Sequence, residues 1–598
     1  MNIINTKEIN NVLTSADRKS ILFFVPFFII NVLLESVSIG LIVPLISALT
    51  NVDYLIESAS TIIDVSDYSV INIQLSAIAL FGLIFILKSS YSLYLFYYVE
   101  SVYVEMRNRL HKQIYGGYLR ASLLFHKEHN TSEIKRNVDE VGMVFQQYLS
   151  PLVILISEVS VVFGLVAVLF YVNSVLSLFS FAFILLIVVI VYKLFKPKLR
   201  KLGVVRIDAA ERTNRHMFQG LFAIIEIKLK LKENYFTDKF SGCMHTYLKT
   251  NMMNALYNLA SSVFVEILFV MGILLILTAM LLHGTEGKEI LPVLALFALT
   301  SIRILSSVKK ITVCLNQLAY SEESISLVSS EINYLKSNNL WDNNDDYDRE
   351  EEFNFVNDLK LDGLSFKYPS SEDFALKDID LNIKKGQCIG IVGHSGSGKT
   401  TIINVLLGLL KPTAGNYYID GIQGHKIHHI SHLIGYVPQK IYILDDTIVK
   451  NVAFGCHTDE IDLERVVVSL KMAHIYNDLI SLANGLDTIL GENGATLSGG
   501  QIQRIGIARA LYDDPEILVF DEATSSLDNL TESIINSEIE SLSNLKTIIV
   551  IAHRLSSVKR CDNIYYMEQG EIAAVGTFNE LYDKSISFKT LVDVGTLV

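Results

Sequence analysis

The sequence has few of the residues that build disulfide-bonded or metal-bound domains. It contains 598 residues but only five cysteines, at positions 243, 314, 388, 456 and 561, and none has a C-x-x-C or comparable ligand spacing. This scarcity favours isolated, reduced thiols over a disulfide framework or a zinc site.

Positive charge is also in deficit. The chain has 50 Lys and Arg against 63 Asp and Glu, a formal net charge of −13. Because contact with phosphate backbones favours a basic surface, nucleic acid is excluded as the main partner. The first twenty residues are polar and mixed in charge, so they do not have the pattern of a cleavable signal peptide.

Long apolar runs are absent from the last 240 or so residues and concentrated before residue 320. A helix needs about 20 apolar residues to cross a bilayer core. Six segments satisfy this requirement and are predicted as membrane spans, near residues 21–48, 70–98, 146–172, 174–195, 255–283 and 289–318.

Lys and Arg are missing from one side of the predicted membrane region. Residues 49–69 contain neither, and the connection between the fifth and sixth spans has only Lys288, whereas the connections after the second and fourth spans are rich in both. The positive-inside rule then places both termini in the cytoplasm. The two basic connections are rich in helix formers and are predicted to extend the spans as helices, and residues 51–65 to form an amphipathic helix at the outer interface.

Five charged residues fall inside the apolar segments, and each is costly in a lipid-facing position. They are Glu35, Lys88, Glu158, Glu266 and Arg303. Lys88 and Arg303 lie at similar predicted depths, and Lys310 follows on nearly the same helical face. Two interpretations are open: the cations contact an anionic substrate head group such as a diphosphate, or they pair with the acidic residues and fix helix packing.

Composition changes again after the sixth span. A polar helical tail leads into an acidic, Asn-rich stretch, which is typical of a solvated linker. We therefore predict a transmembrane domain over residues 1–330, a linker over 331–352 and a soluble α/β domain over 353–598. The fold class is an α-helical six-span transmembrane domain followed by an α/β P-loop nucleotide-binding domain.

The soluble part contains a phosphate-binding loop, GHSGSGKT. It follows the apolar run Cys388–Val392 and precedes an apolar helix predicted over Ile402–Leu410, the strand–loop–helix context that the motif requires. Glycines let backbone N–H groups face the phosphates of ATP, Lys399 reaches the terminal phosphates, and Thr400 is placed to bind Mg²⁺. The predicted nucleotide-binding residues here are Gly393, His394, Ser395, Gly396, Ser397, Gly398, Lys399, Thr400 and Thr401.

A second motif, LSGGQ, opens an Arg-rich helix about a hundred residues later. The apolar strand Ile517–Phe520 follows and ends in the pair Asp521 and Glu522. A strand that delivers two carboxylates to its C-terminal end is how P-loop proteins hold Mg²⁺ and a water-activating base beside a nucleotide. Asp521 is predicted to hold Mg²⁺ and Glu522 to act as general base.

Together these motifs resemble those of ATP-binding cassette proteins, over residues 359–585, and residues 20–320 resemble the six-helix half of the exporter type. The resemblance implies an adenine platform at Tyr368, in FKYP before the first long strand, with a plain strand tyrosine as the alternative. It also implies Gln439 as a Mg²⁺ ligand, His553 as a catalytic histidine at the γ-phosphate, Asp528 in a loop contacting the other monomer, and Glu492 in a loop reporting to the membrane helices. Transverse helices that touch the nucleotide domain are expected at residues 123–129 and 219–225.

In this family the signature covers ATP bound by a second cassette, and here it comprises Leu497, Ser498, Gly499, Gly500 and Gln501. Its helix N-terminus presents N–H groups to an anion. The chain has one phosphate loop and one signature, so the resemblance implies a dimer of two copies, with a heterodimer left open.

The expected function is ATP-driven export or flipping of an amphipathic, lipid-linked oligosaccharide across a bacterial inner membrane. The external helix and the first span resemble flippases of that kind. Export of a peptide, a drug or another lipid is the alternative in the same class, and an ATP-gated channel or regulator is the alternative from another class.

Overall fold

The protein is described here by a computed structural model. It describes residues 6–41, 70–172, 174–282, 291–341, 355–423, 431–522, 542, 545–552 and 555–595. The chain divides into two compact units, one of residues 1–121 and 125–343 and the other of residues 122–124 and 344–598.

The first unit is built of helices. Their bounds are α1 Thr6–Val12, α2 Ser15–Gly40, α3 Val70–Arg120, α4 Leu123–Glu128, α5 Thr131–Val144, a π-helical turn Phe145–Leu149, α6 Ser150–Val172, α7 Ser174–Phe222, α8 Ile224–Lys230, α9 Glu233–Leu282, α10 Leu291–Tyr320 and α11 Glu322–Ser337. An all-helical fold satisfies backbone hydrogen bonds within each segment, which a lipid environment requires.

Three helices are far longer than a bilayer core. Helices α3, α7 and α9 have 51, 49 and 50 residues. Since about 20 residues span the core, the remaining turns extend beyond it, as predicted for the basic connections. Among the described residues, four stretches have the length and apolarity of a membrane span, namely Ser15–Ser38, Gln74–Arg120, Thr131–Ala167 and Glu233–Leu274. The count of six spans stays a prediction, and the amphipathic helix expected at 51–65 lies outside the described residues.

Packing within this unit joins neighbouring helices along their length. Helix α9 packs along α7, α10 lies against α6 and α7, and α2 contacts α3 and α6. A buried ion pair connects three helices: Arg206 of α7 donates to both carboxylate oxygens of Glu140 in α5, at 2.9 and 2.7 Å, and to Ser324 of α11 at 2.8 Å. Many apolar side chains of the long helices face outward, Leu93 being 71% exposed, as expected of surfaces that face lipid.

Two predicted boundaries are wrong by a few residues. The second short helix runs over Ile224–Lys230 rather than 219–225, because Ala223 leaves helical geometry and Leu231 adopts a left-handed conformation that ends the turn. The first residues of the predicted linker, from 331, belong to α11, which buries Ile332 and Leu335 on one face. Of the rest of that linker, residues 342–352 lie outside the described part of the chain.

The second unit is an α/β fold. Its strands are β1 Asp358–Lys367, β2 Phe374–Lys384, β3 Cys388–Gly393, β4 Ala414–Ile419, β5 Ile422–Gln423, β6 Ile434–Val437, β7 Ile517–Asp521, β8 Thr547–Ile551, β9 Asn563–Glu568 and β10 Glu571–Gly576. Its helices are α12 Lys399–Leu406, α13 Ile448–Val452, α14 Leu463–Met472, α15 Tyr476–Ile480, α16 Gly499–Leu511, α17 Phe578–Lys584 and α18 Ile586–Gly595, with 3₁₀ turns at Gly485–Asp487, Glu492–Gly494 and Leu555–Ser557.

Two sheets organise this unit. Within the described residues, one sheet has the order β2-β1-β4-β5 with antiparallel pairing, and the other has the order β10-β9-β3-β8-β7-β6. The second sheet is parallel from β9 to β6, and its central strands β7 and β8 are buried throughout. Ligands of such sheets bind at the carboxyl ends of the strands. That edge carries the predicted nucleotide site.

Two sequence predictions in this unit need correction. Helix α12 stops at Leu406 rather than residue 410, because Gly408 adopts a left-handed conformation just beyond it. All five cysteines are free thiols, but the expectation that they are isolated is wrong for one pair: the sulfur atoms of Cys388 and Cys561 lie 3.0 Å apart.

Candidate functional site

The predicted phosphate loop connects β3 to α12 and depends on glycine at two points. Gly398 has φ +102°, a conformation that other residues rarely adopt, and a Cβ there would lie 2.8 Å from the carbonyl oxygen of Ala375. At Gly393 a Cβ would lie 2.3 Å from the carbonyl oxygen of Met567. The chain can follow this path only with glycine at both positions.

Lys399, the first residue of α12, is folded onto its own loop. Its Nζ donates to the carbonyl oxygens of Gly393 at 2.8 Å and His394 at 3.0 Å, and the residue is 6% exposed. Burial lowers the pKa of this ammonium below its usual value, although the carboxylates of Glu522 and Asp521 act in the opposite direction. A buried cation faced by two carboxylates is suited to terminal phosphates bound with a divalent cation.

The loop fits a phosphate group by an independent observation. The hydroxyl of Ser397 is buried, the residue being 4% exposed, and its oxygen has no hydrogen-bond partner among the described residues. Buried polar atoms are nearly always paired in folded proteins. A loop with an unsatisfied hydroxyl and no side chains at its glycines therefore accommodates a small, strongly hydrogen-bonding anion.

Tyr368 lies beside this loop. It directly follows β1, which has 10 residues. The expectation that Tyr368 precedes the first long strand is therefore wrong, because β1 comes before it. Its hydroxyl forms a hydrogen bond of 3.2 Å with the hydroxyl of Thr401, and its ring meets Phe366 edge to face, with 4.9 Å between centroids. The ring is thus held next to the first turn of α12.

The two acidic residues stand at the carboxyl end of β7. Asp521 is 8% exposed and accepts a 3.1 Å hydrogen bond from the hydroxyl of Tyr436 on the adjacent strand β6. Burial, and then the charge of Asp521, raise the pKa of the Tyr436 phenol, so this tyrosine stays a donor. Sequence reasoning missed Tyr436; the signal was a hydroxyl in the apolar strand that pairs in register with β7.

Gln439 and Glu522 meet at the same edge. The Gln439 side chain donates to Glu522 Oε2 at 2.5 Å, across the ends of β6 and β7. Glu522 has φ +51°, an uncommon conformation for a residue with a side chain, and its backbone N–H donates to Ile551 at the end of β8. This backbone bond fixes the direction in which the carboxylate leaves the sheet.

The signature residues form a helix start. Ser498 is the N-cap of α16: its hydroxyl accepts from the backbone N–H of Gln501, whose side chain accepts from the Ser498 N–H at 2.9 Å. This capping box orders the first turn and leaves its remaining N–H groups and the positive end of the helix dipole available to an anion. Leu497 packs at the edge of the unit's core, and Glu492 opens a 3₁₀ turn before the signature.

The structure thus brings together most of the predicted nucleotide-binding residues at one edge of the parallel sheet. The phosphate loop runs from the end of β3 into the first turn of α12, Gln439 follows β6, Asp521 ends β7, and Glu522 comes directly after it. His553 and Asp528 lie outside the described residues. No cluster of three or more His, Cys, Asp or Glu suited to a metal ion occurs in the described part of the chain.

The five charged residues predicted inside the apolar segments are paired. Glu35 accepts from Lys88 at 2.6 Å and from Arg303, Glu158 accepts from Lys310 at 2.6 Å and from Ser307 at 2.8 Å, and Lys309 pairs with Glu266. The internal pairing that the sequence left open is therefore present. A cavity of about 660 Å³ adjoins this cluster, and its wall includes Glu35, Glu158, Arg303, Lys309 and Lys310.

Comparison with known proteins was consistent with both halves. The chain matches the family described as "ABC transporter transmembrane region" over residues 21–306 and that described as "ABC transporter" over residues 376–525.

Its relatives include an "ATP-dependent lipid A-core flippase" of Coxiella burnetii, 29% identical over 83% of each chain. A protein of the same name from Ralstonia nicotianae is 41% identical over 38% of this chain, and the matched part spans only 39% of that relative's length.

One solved structure is described as "Structure of a bacterial Atm1-family ABC exporter with ATP bound". It aligns with a TM-score of 0.77 over 97% of this chain and 99% of that one, at 21% identity. At this identity the likeness shows the fold.

Proposed function

Because the chain belongs to the ABC transporters, with a transmembrane region and an ATP-binding domain, we propose that it hydrolyses ATP to flip or export an amphipathic lipid across a bacterial inner membrane. The observation that carries the proposal is the meeting of Gln439 and Glu522, 2.5 Å apart, at the sheet edge that holds the phosphate loop. A carboxylate aimed by a neighbouring amide and set by a backbone hydrogen bond is suited to orient an attacking water.

Each residue of this edge has a proposed role. Glu522 accepts the proton of the attacking water, and Lys399 exchanges its two loop carbonyls for phosphate oxygens. Asp521, Thr400 and Gln439 would hold Mg²⁺, which supplies charge neutralisation at the β- and γ-phosphates when bound. Tyr368 stacks on adenine. His553 contacts the γ-phosphate, in line with its position two residues after the end of β8.

A second copy of the chain completes the site. The chain has one phosphate loop and one signature, and Ser498 at the start of α16 offers an ordered helix N-terminus to an anion. We propose a homodimer in which the signature of one copy covers ATP on the loop of the other, with Asp528 in the contacting loop. Helix α4 and helix α8, which runs over Ile224–Lys230, would transmit closure to the membrane helices.

The proposed substrate is a lipid with a sugar and phosphate head group, of the lipid-linked oligosaccharide kind. Relatives named lipid A-core flippases support a lipid. The 660 Å³ cavity combines an apolar wall with charged side chains, which supports a lipid that carries a charged head group. Arg303 and Lys310 line this cavity, and Lys310 has a side chain that is 52% exposed. Lys88 and Arg303 are already paired with Glu35, and Lys310 is paired with Glu158. A head-group phosphate must therefore compete with these two carboxylates for the cations.

The test is reconstitution in proteoliposomes with fluorescent lipid-linked oligosaccharide, lipid A-core and a plain phospholipid. We expect ATP-dependent translocation by the wild type, and Glu522→Gln to bind ATP but lose hydrolysis by at least about a hundredfold, as general-base loss does. Glu516→Gln is the matched control, because it makes the same chemical change at the opposite end of β7, in a surface pair with Lys385 that contributes little stability.

Three outcomes would count against the proposal. Equal hydrolysis by Glu522→Gln and the wild type would remove Glu522 from the mechanism. Ion current across patches without vectorial lipid movement would favour a channel. Translocation of the plain phospholipid alone would reject the proposed head-group preference while leaving ATP-driven transport intact.

A further inference from the structure

Two thiols lie in contact at the base of the strand that carries the phosphate loop. Cys388 is the first residue of β3, and Cys561 lies two residues before β9. Their Sγ atoms are 3.0 Å apart although 173 residues separate them in the chain. Neither thiol takes part in the proposed ATP chemistry, which occurs at the other end of β3.

One hydrogen bond to a side chain and one between backbone groups hold the two segments together. The N–H of Cys388 donates to Asp562 Oδ2 at 2.9 Å, and the N–H of Asp562 donates to the carbonyl oxygen of Cys388, also at 2.9 Å. Parallel pairing of Ile389 with Asn563 continues directly from this point. The sulfur atoms are therefore neighbours because of the sheet register, and their contact does not depend on a mobile loop.

The two sulfurs differ in accessibility. Cys561 is 7% exposed, whereas Cys388 is partly exposed. The hydrogen bond with Cys388, together with burial, raises the pKa of the Cys561 thiol, so this sulfur stays protonated until a reaction begins beside it. A small oxidant therefore meets Cys388 first, with a resolving thiol already in place.

We propose that Cys388 and Cys561 form a reversible two-electron oxidation site in the nucleotide-binding domain. A peroxide oxidises the Cys388 thiol to a sulfenic acid and is reduced to water. The Cys561 sulfur then attacks the Cys388 sulfur, expelling a second water as the S–S bond forms, so two thiols and one hydrogen peroxide give one disulfide and two waters. The sulfurs must approach by only about 1 Å to reach bonding distance.

The bond would join β3, the strand that leads into the phosphate loop, to the segment just before its neighbour β9. The space beside Gly390, two residues after Cys388, is filled by Val558, so that a Cβ added there would lie 2.7 Å from the valine side chain. A disulfide here closes a long loop of chain, and cross-links over long loops restrict the unfolded state most. We therefore expect the oxidised domain to unfold at a temperature several degrees higher than the reduced one.

The test uses the full-length protein in detergent, treated with a small excess of hydrogen peroxide, quenched with catalase and alkylated after denaturation. We expect two thiols to be lost, with a Cys388–Cys561 peptide in the non-reducing digest that dithiothreitol abolishes. The free thiols are counted after denaturation of the wild-type protein, so this result does not depend on whether any variant folds.

Two variants sharpen the result. Cys561→Ser should form no such peptide and should instead accumulate Cys388 sulfenic acid, trapped by dimedone, while Cys456→Ser should form the peptide as the wild type does. The proposal is overturned if the wild type keeps both thiols reduced, if Cys388 proceeds to sulfinic acid with Cys561 intact, or if either sulfur joins a different cysteine.

Discussion

Ser498 has two roles that a matched pair of substitutions can separate. Its hydroxyl caps α16 by accepting from the Gln501 N–H at 3.3 Å, and the family resemblance also implies contact with ATP bound by the partner copy. Ser498→Ala removes both. Loss of an N-cap side chain costs about 1 kcal/mol of stability. Loss of a hydrogen bond to a charged phosphate costs about 1.5–3 kcal/mol, which corresponds to a ten- to hundredfold fall in turnover.

Thr577 provides the control because it caps α17 in the same way. Its hydroxyl accepts from the Glu580 N–H at 3.4 Å, and the Glu580 side chain accepts from the Thr577 N–H at 2.9 Å, against 3.3 and 2.9 Å in the Ser498 box. Thr577→Ala therefore costs similar capping energy at a helix with no proposed nucleotide contact.

The assay compares thermal unfolding and ATPase rate for the wild type and both variants in proteoliposomes. We expect both variants to unfold about 2–4 °C below the wild type, which is the shift that 1 kcal/mol produces in a domain of this size. Only Ser498→Ala should lose ten- to hundredfold in turnover. If both variants lose ATPase equally, the effect is one of stability, and if neither does, Ser498 does not contact the nucleotide.

Three further predictions concern other parts of the molecule. Glu35→Gln leaves two cations without their shared carboxylate, whose side chain is 3% exposed, so we expect a loss of roughly 3 kcal/mol in unfolding free energy. Glu266 is half exposed, so Glu266→Gln should change the unfolding free energy little. Equal losses in the two variants would contradict the prediction. Tyr368→Phe should keep ATP affinity, whereas Tyr368→Ala should weaken it about tenfold, the scale of a lost aromatic–base stack; equal dissociation constants would rule out stacking. Burial raises the pKa of Asp420, but N–H donors at residues 356–358 outweigh it and hold the pKa below its usual range. This lowered pKa stabilises the folded state above about pH 4, and that stabilisation is lost as the pH falls through the folded-state pKa. The melting temperatures of the wild type and Asp420→Asn should therefore converge in acid. A difference in melting temperature that stays constant with pH would refute the argument.

The sequence predicted the parts of the fold that local chemistry determines. A continuous apolar run with glycine punctuation specified β3, the phosphate loop and the start of α12, and the run at residues 517–520 specified β7. Helix ends were less predictable. Apolar residues continue to Leu410, but the left-handed conformation of Gly408 ends the helix earlier, and nothing in the apolar pattern distinguishes this glycine from one inside a helix.

Contacts between distant side chains could not be derived from the sequence. Lys88 and Arg303 were predicted at similar depth, but their convergence on one carboxylate depends on the rotation of three helices about their axes. The Cys388–Cys561 contact depends on the neighbouring positions of β3 and β9 in the sheet, although they are far apart in the chain. Strand order and helix rotation are set by tertiary packing, which spacing along a chain does not record.

Three groups of the proposed ATP site already have hydrogen-bond partners within the chain. Lys399 donates to two loop carbonyls, Glu522 accepts from Gln439, and Ser498 is engaged with Gln501. Each of these three groups is thus satisfied within one chain, so at these points ATP must displace an existing hydrogen bond, whereas at the Ser397 hydroxyl, which is unpaired within the described part of the chain, it can add a new one. A hydrogen bond to a charged group contributes about 1.5–3 kcal/mol, and a displaced bond reduces that gain. In the proposed homodimer, the N-terminus of α16 from the second copy would add to this reduced gain, and the Ser498→Ala measurement tests that contribution.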